Sequence, residues 1–153
     1  MADLRPADDA SIPGNERLYL RIPARGDAVI PVEGGGHRPH TGSVKPPDMD
    51  EPKSCDLASL CAGPEETRDR GTDGNFHVAE LSVEAVRALG FRVVRDPIVE
   101  GPDQNPAHVL ILGSRPKLNG DLAGALTNKE YTKLARIARY VIITPQPPGA
   151  EEG

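Results

Sequence analysis

The chain has 153 residues, room for one domain, and its 37% hydrophobic and 27% charged content is ordinary for a soluble globular protein. A net charge of −5 argues against a nucleic-acid binder that works through the field of the whole molecule, because phosphate neutralisation dominates such binding. No run of 18 apolar residues exists, and the opening MADLRPADDASIPG is acidic where a signal peptide would be cationic and then apolar, so a cytoplasmic protein with no membrane contact is expected.

Sixteen prolines and 16 glycines are unevenly spread: nine prolines precede Glu65, and none lies between Glu65 and Asp96. The core is therefore expected toward the carboxy terminus. Residues 1–15 lack apolar periodicity and read as a disordered tail. Arg17 to Ile22 alternates Leu18, Leu20 and Ile22 against Arg17, Tyr19 and Arg21, the signature of a strand with one dry face. Asp27 to Val32, interrupted by Pro31, fits only an edge strand.

Residues 33–53 hold Gly34-Gly35-Gly36, Pro39, Pro46-Pro47 and Pro52 and are expected to sustain neither ladder nor helix. Ser54 to Leu60 reads as a weak strand or a short helical turn, and Gly63 to Asn75 as a charged surface connection. Ser82 is the expected N-cap of a helix whose Val83, Val86 and Leu89 share a face and which Gly90 closes. Phe91 to Arg95 is a β-branched run halted by Asp96-Pro97, and Val109 to Leu112 has the continuous apolar text of an inner strand. Thr127-Asn128-Lys129-Glu130 is a capping box, followed by an apolar stripe of Tyr131, Leu134, Ala138 and Val141. The expected fold is α+β: a small, mainly antiparallel sheet covered by two helices, with a long irregular Pro/Gly-rich amino-terminal segment. One domain is expected over residues 16–143, with a second disordered tail over 144–153.

Leu81 onward, "LSVEAVRALGFRVVRDP" and then "NPAHVLILG", resembles a set of small uncharacterised bacterial proteins. The likeness extends to Arg21-Ile22-Pro23, to Arg38-Pro39 followed by Ser43, and to Ser54-x-Asp56-Leu57. Some members of that set lie near defence or toxin genes. The resemblance implies an accessory protein with a partner-linked role; the candidate binding residues are Arg38, His40, Ser43, Asp56 and Asn105. This chain departs from the set in reading Arg38-Pro39-His40-Thr41-Gly42-Ser43-Val44 where the others carry a serine pair and an aromatic.

Read as chemistry, His108 opens a strand and Asp96 ends the neighbouring one, so the two could form a carboxylate-oriented imidazole serving as a catalytic pair. The plain alternative is a capping histidine between two turns, since Asp96-Pro97 and Asn105-Pro106 both punctuate the chain. His37, His40, Cys55 and Cys61 supply four metal-ligating side chains, but the five-residue gap between the cysteines is loose for zinc, and no metal or other cofactor is expected. Neither cysteine has the flanking residues of a nucleophile, and both are expected reduced. Lys129, Lys133 and Arg136, joined less directly by Arg139, form a basic stripe whose ordinary meaning is a solvated helix face; nucleic-acid contact there is the less favoured alternative. Binding rather than catalysis is the leading expectation.

Overall fold

The alternation at Arg17–Pro23 becomes strand β1, with Leu18, Leu20 and Ile22 fully buried on one face. The computed structural model describes residues 6–24, 28–46, 51–70, 75–102, 104–115 and 124–144. β1 lies inside a six-stranded sheet built with β4 (Lys53–Leu57), β5 (Phe76–Ser82), β6 (Arg92–Arg95), β7 (His108–Leu112) and β8 (Arg139–Ile142). The order is β6-β7-β4-β1-β5-β8, and every neighbouring pair is antiparallel. A separate hairpin pairs β2 (Val29–Pro31) with β3 (His37–Pro39). The helices are α1 (Thr41–Val44), α2 (Pro64–Asp69), α3 (Val83–Ala88) and α4 (Asn128–Ile137). The fold is α+β, as the sequence leads one to expect.

Because side chains alternate along a strand, the register divides the sheet into two unlike faces. Leu18 pairs with Leu57 and Leu81, and Cys55 with Val109. These residues form one buried cluster with Tyr131, Leu134 and Ala135 of α4, Val44 of α1, and Val83 and Val86 of α3. The opposite face carries Tyr19, Asp56 and His108 in one row across β1, β4 and β7. That second face bears the candidate site.

Local capping sets the helix starts. Ser82 accepts from Ala85 N at α3, and Thr127 and Glu130 exchange hydrogen bonds at α4, each satisfying an amide that the first helical turn leaves open. Gly90, at φ +94°, closes α3 in a conformation other residues resist. Gly113, the residue after β7, has no room for a side chain, since a Cβ there would meet the Leu126 backbone at 2.8 Å.

Several expectations are corrected. Residues 33–53 do hold regular structure: β3 pairs with β2, and α1 makes one turn capped by His40. Pairing spans only three residues on each side, with Pro31 and Pro39 as the last residue of each strand, so the glycines and prolines do not prevent it. The connection from Gly63 contains α2, started by Pro64 with Glu65 and Glu66 in its first turn. β5 was not foreseen, because it is covered on both faces and shows no alternation. The last helix stops at Ile137; Ala138 is extended, and Arg139–Ile142 is an edge strand in which Val141 is exposed.

The amino-terminal segment is not a free tail over its described part. Ile12 is 1% exposed, Asp9 N donates to Val93 O at 2.9 Å, and Val93 N donates to Asp8 Oδ1 at 2.8 Å. These bonds occupy the outer edge of β6, which would otherwise offer a template for pairing. Residues 1–5 and 145–153 of the expected tails lie outside the described residues. Thr144, placed at the start of the second tail, donates its amide to His77 Nδ1 at 2.9 Å and its hydroxyl to Phe76 O at 2.6 Å.

Candidate functional site

A carboxylate buried beneath a helix must find donors, and Asp56, 3% exposed, has three. Its Oδ2 accepts from Thr67 Oγ1 at 2.7 Å and from Arg70 Nη1 at 2.9 Å; its Oδ1 accepts from Asn105 Nδ2 at 2.8 Å. Asn105 Oδ1 in turn accepts from Ala107 N at 3.0 Å, and the Asn105 backbone exchanges two bonds with Ile98. Arg70 reaches Glu66 one turn back at 2.5 Å. One charge thereby fixes β4, the end of α2 and the loop between β6 and β7.

Between these three elements opens a cleft of about 820 Å³. Its lining includes Ser43, Asp56, Asn105 and His108, four of the residues singled out from the sequence. Arg21, Lys45, Lys53 and Arg70 also line it, against two carboxylates, Asp56 and Asp69. Arg70 is committed to Asp56. Among the described residues Arg21, Lys45 and Lys53 meet no carboxylate: Arg21 reaches Thr67 O at 3.4 Å and lies 6.0 Å from the Phe76 ring centre, while Lys53 Nζ donates to Val44 O at 2.9 Å. Burial pulls the Lys53 ammonium below the usual lysine range, and the nearby Arg21 charge adds to that.

His108 and Asp96 do meet. Asp96 N donates to His108 O at 2.9 Å, extending the β6–β7 ladder by one pair. The imidazole Nδ1 lies 3.1 Å from Asp96 Oδ2 and 2.9 Å from Asp96 O. Both partners only accept, so Nδ1 carries the proton and a neutral ring leaves Nε2 as its basic nitrogen. Nε2 has no partner among the described residues. The Asp96 carboxylate is 55% exposed, so the pair orients the ring more than it stabilises the fold.

Other expected residues stand apart from the cleft. Of residues 37–43 only Ser43 lines it; Arg38 bonds its neighbour's carbonyl, Pro39 O, and His40 Nδ1 accepts from Gly42 N. Lys129, Lys133 and Arg136 lie on the exposed side of α4, opposite Tyr131, Leu134 and Ala135. Cys55 faces the core, where burial pushes its thiol up to about 12, and Cys61 sits near Thr67 and Arg70 with its thiol also raised by burial. Neither offers a thiolate at neutral pH. Among the described residues no three histidine, cysteine or acidic side chains converge as metal ligands, and no helix is long and apolar enough to cross a membrane.

Arg21, Lys53, Thr67 and Arg70 were missed. Arg21 had a signal, as a charge on the polar side of β1; Arg70 had none, because its role depends on a helix that the sequence does not announce.

Comparison with protein-family models, with curated proteins and with solved structures finds no match.

His77 belongs to the core side, stacking edge-on with Tyr140 at 5.2 Å and accepting from Thr144 N. Burial holds its imidazole below the ordinary 6.5. The unfolded chain therefore takes up a proton first as pH falls, so the contribution of His77 to stability is complete above about pH 6.5 and is lost below it, down through the lower folded value. Denaturant midpoints measured across this range are expected to fall below about pH 6.5 in the wild type and to fall less in His77→Gln. Parallel curves would contradict the assignment.

Proposed function

We propose that the protein is a binding module whose cleft takes a small organic anion, a carboxylate or phosphate compound. One observation carries the reading: Arg21, Lys45 and Lys53 share a cleft and have no carboxylate partner among the described residues, in a chain of net charge −5. Cations held without counter-ions against the sign of the whole molecule favour an anionic guest, and a recessed cleft focuses their field. The accessory role expected from the sequence is compatible with this. Ile98 and Val99, 39% and 71% exposed, place an apolar pair on the loop beside the cleft, where a partner protein would touch it.

Titration with phosphate and with pyruvate, followed by amide NMR shifts, tests the reading. Saturable shifts are expected at residues around Arg21, Ser54 and Asn105, with Arg21→Ala and Lys45→Ala each weakening binding about tenfold, the scale of one charge-assisted hydrogen bond. Lys129→Ala serves as the exposed control. Shifts that do not saturate, or equal losses in the control, would end the proposal.

A second reading rests on the 3.1 Å contact between His108 and Asp96. With Asp96 holding the tautomer, Nε2 would take a proton from water as that water attacks an ester bound in the cleft, then return it to the leaving oxygen. His108→Ala is expected to leave the fold intact while lowering hydrolysis of an anionic p-nitrophenyl ester about a hundredfold. Equal rates in the two proteins would remove this reading.

A further inference from the structure

Residues 6–12 lie along the outer edge of β6 and are held there as an extended peptide ligand would be, by charge and by backbone bonds. Asp9 N donates to Val93 O at 2.9 Å, and Val93 N donates to Asp8 Oδ1 at 2.8 Å, so both edge groups of Val93 are engaged. Three arginines meet the segment. Arg87 of α3 lies 3.1 Å from Asp8 Oδ2 and donates to Asp9 O at 2.9 Å. Arg92 donates to Pro6 O at 3.1 Å, and Arg95 donates to Ser11 Oγ at 3.1 Å with Asp9 Oδ2 3.5 Å away. None of residues 6–11 is buried; Ile12, 1% exposed, is the apolar anchor and belongs to the core cluster.

These are the features of strand addition to a sheet edge, in which main-chain bonds supply affinity and side-chain sites supply selectivity. We infer that the β6 edge is a docking site for an acidic, extended segment of a partner protein, which residues 6–12 occupy in cis. The recognised pattern is two adjacent carboxylates followed three residues later by an aliphatic side chain, as Asp8, Asp9 and Ile12 present it. Charge complementarity selects the sign of the occupant, since the carboxylates that meet Arg87 and Arg95 both come from the segment. Lifting the segment takes those carboxylates from the arginines and the edge bonds from Val93, and a peptide of the same pattern restores them like for like. The attached segment competes through its high local concentration, and its contacts from Pro6 to Ser11, being polar and open to water, set a low barrier to exchange. The edge lies apart from the cleft, whose lining includes none of the three arginines, so this inference stands or falls independently of anion binding.

The test uses the full chain and a fluorescein-labelled peptide of residues 6–13, PADDASIP, followed by fluorescence anisotropy. The double substitution Asp8→Ala with Asp9→Ala loosens the segment in cis, and because both ion pairs are partly exposed their joint effect is about tenfold. The peptide is therefore expected to bind this variant about tenfold more tightly than the wild type. It should lose that binding when Arg87→Ala and Arg95→Ala are added, and a peptide with its own aspartates replaced by alanine should not bind. Where the double variant fails to unfold cooperatively, Ser11→Ala, which removes one bond to Arg95, is expected to give the same ordering at about threefold. Equal binding to wild type and variant, binding to neither, or indifference to the arginines overturns the inference. So does a wild-type dimer in sedimentation that the double variant loses, since the occupant would then be a second copy of this chain.

Discussion

The buried carboxylate of Asp56 is the constraint on which the rest depends. A charge taken out of water in the middle of a sheet is tolerable only with a full set of donors, and these come from distant parts of the chain: Thr67 and Arg70 at the end of α2, Asn105 from the loop before β7. None of these elements is long enough to hold its place alone. α2 has six residues, and the loop is closed by the short bridge between Ile98 and Asn105. The requirement to satisfy one carboxylate thus draws them together and leaves the cleft between them.

The two faces of the sheet then follow different rules. One is dry and seals the apolar cluster under α4, α3 and α1, and it absorbs the residues whose chemistry would otherwise invite a catalytic reading: Cys55 as a thiol, His77 as a neutral acceptor. The other face keeps its ionisable row, Tyr19, Asp56 and His108, under a helix and a loop with the cleft between them. Spending Asp56 on Arg70 leaves Arg21, Lys45 and Lys53 without acidic partners among the described residues. The cationic character of the cleft is therefore a by-product of how the scaffold is locked.

What could be read from the sequence was what local chemistry decides. Ser82 and the Thr127–Glu130 exchange announce their helices because a cap is made within four residues, and β1 announces itself by alternation. The meeting of His108 with Asp96 was legible because the two residues end adjoining antiparallel strands across a short loop. β5 was not legible, since burial on both faces erases period two, and β8 was hidden because Ala138 and Val141 happen to continue the spacing of the helix before it. Asp56 and its donor Asn105 could be named from motifs, yet the donors Thr67 and Arg70 could not. Thr67 and Arg70 acquire meaning only once α2 is packed over β1 and β5.

The unfolding free energy of Asp56→Ala, measured beside the wild type by chemical denaturation, bears most directly on this account. Removing the acceptor strands the Arg70 guanidinium and the Asn105 amide, and a loss of about 3 kcal/mol is predicted, with the amide resonances of residues 98–105 shifting together. A change within about 0.5 kcal/mol, the range of an ordinary surface substitution, with those resonances unmoved, would contradict it.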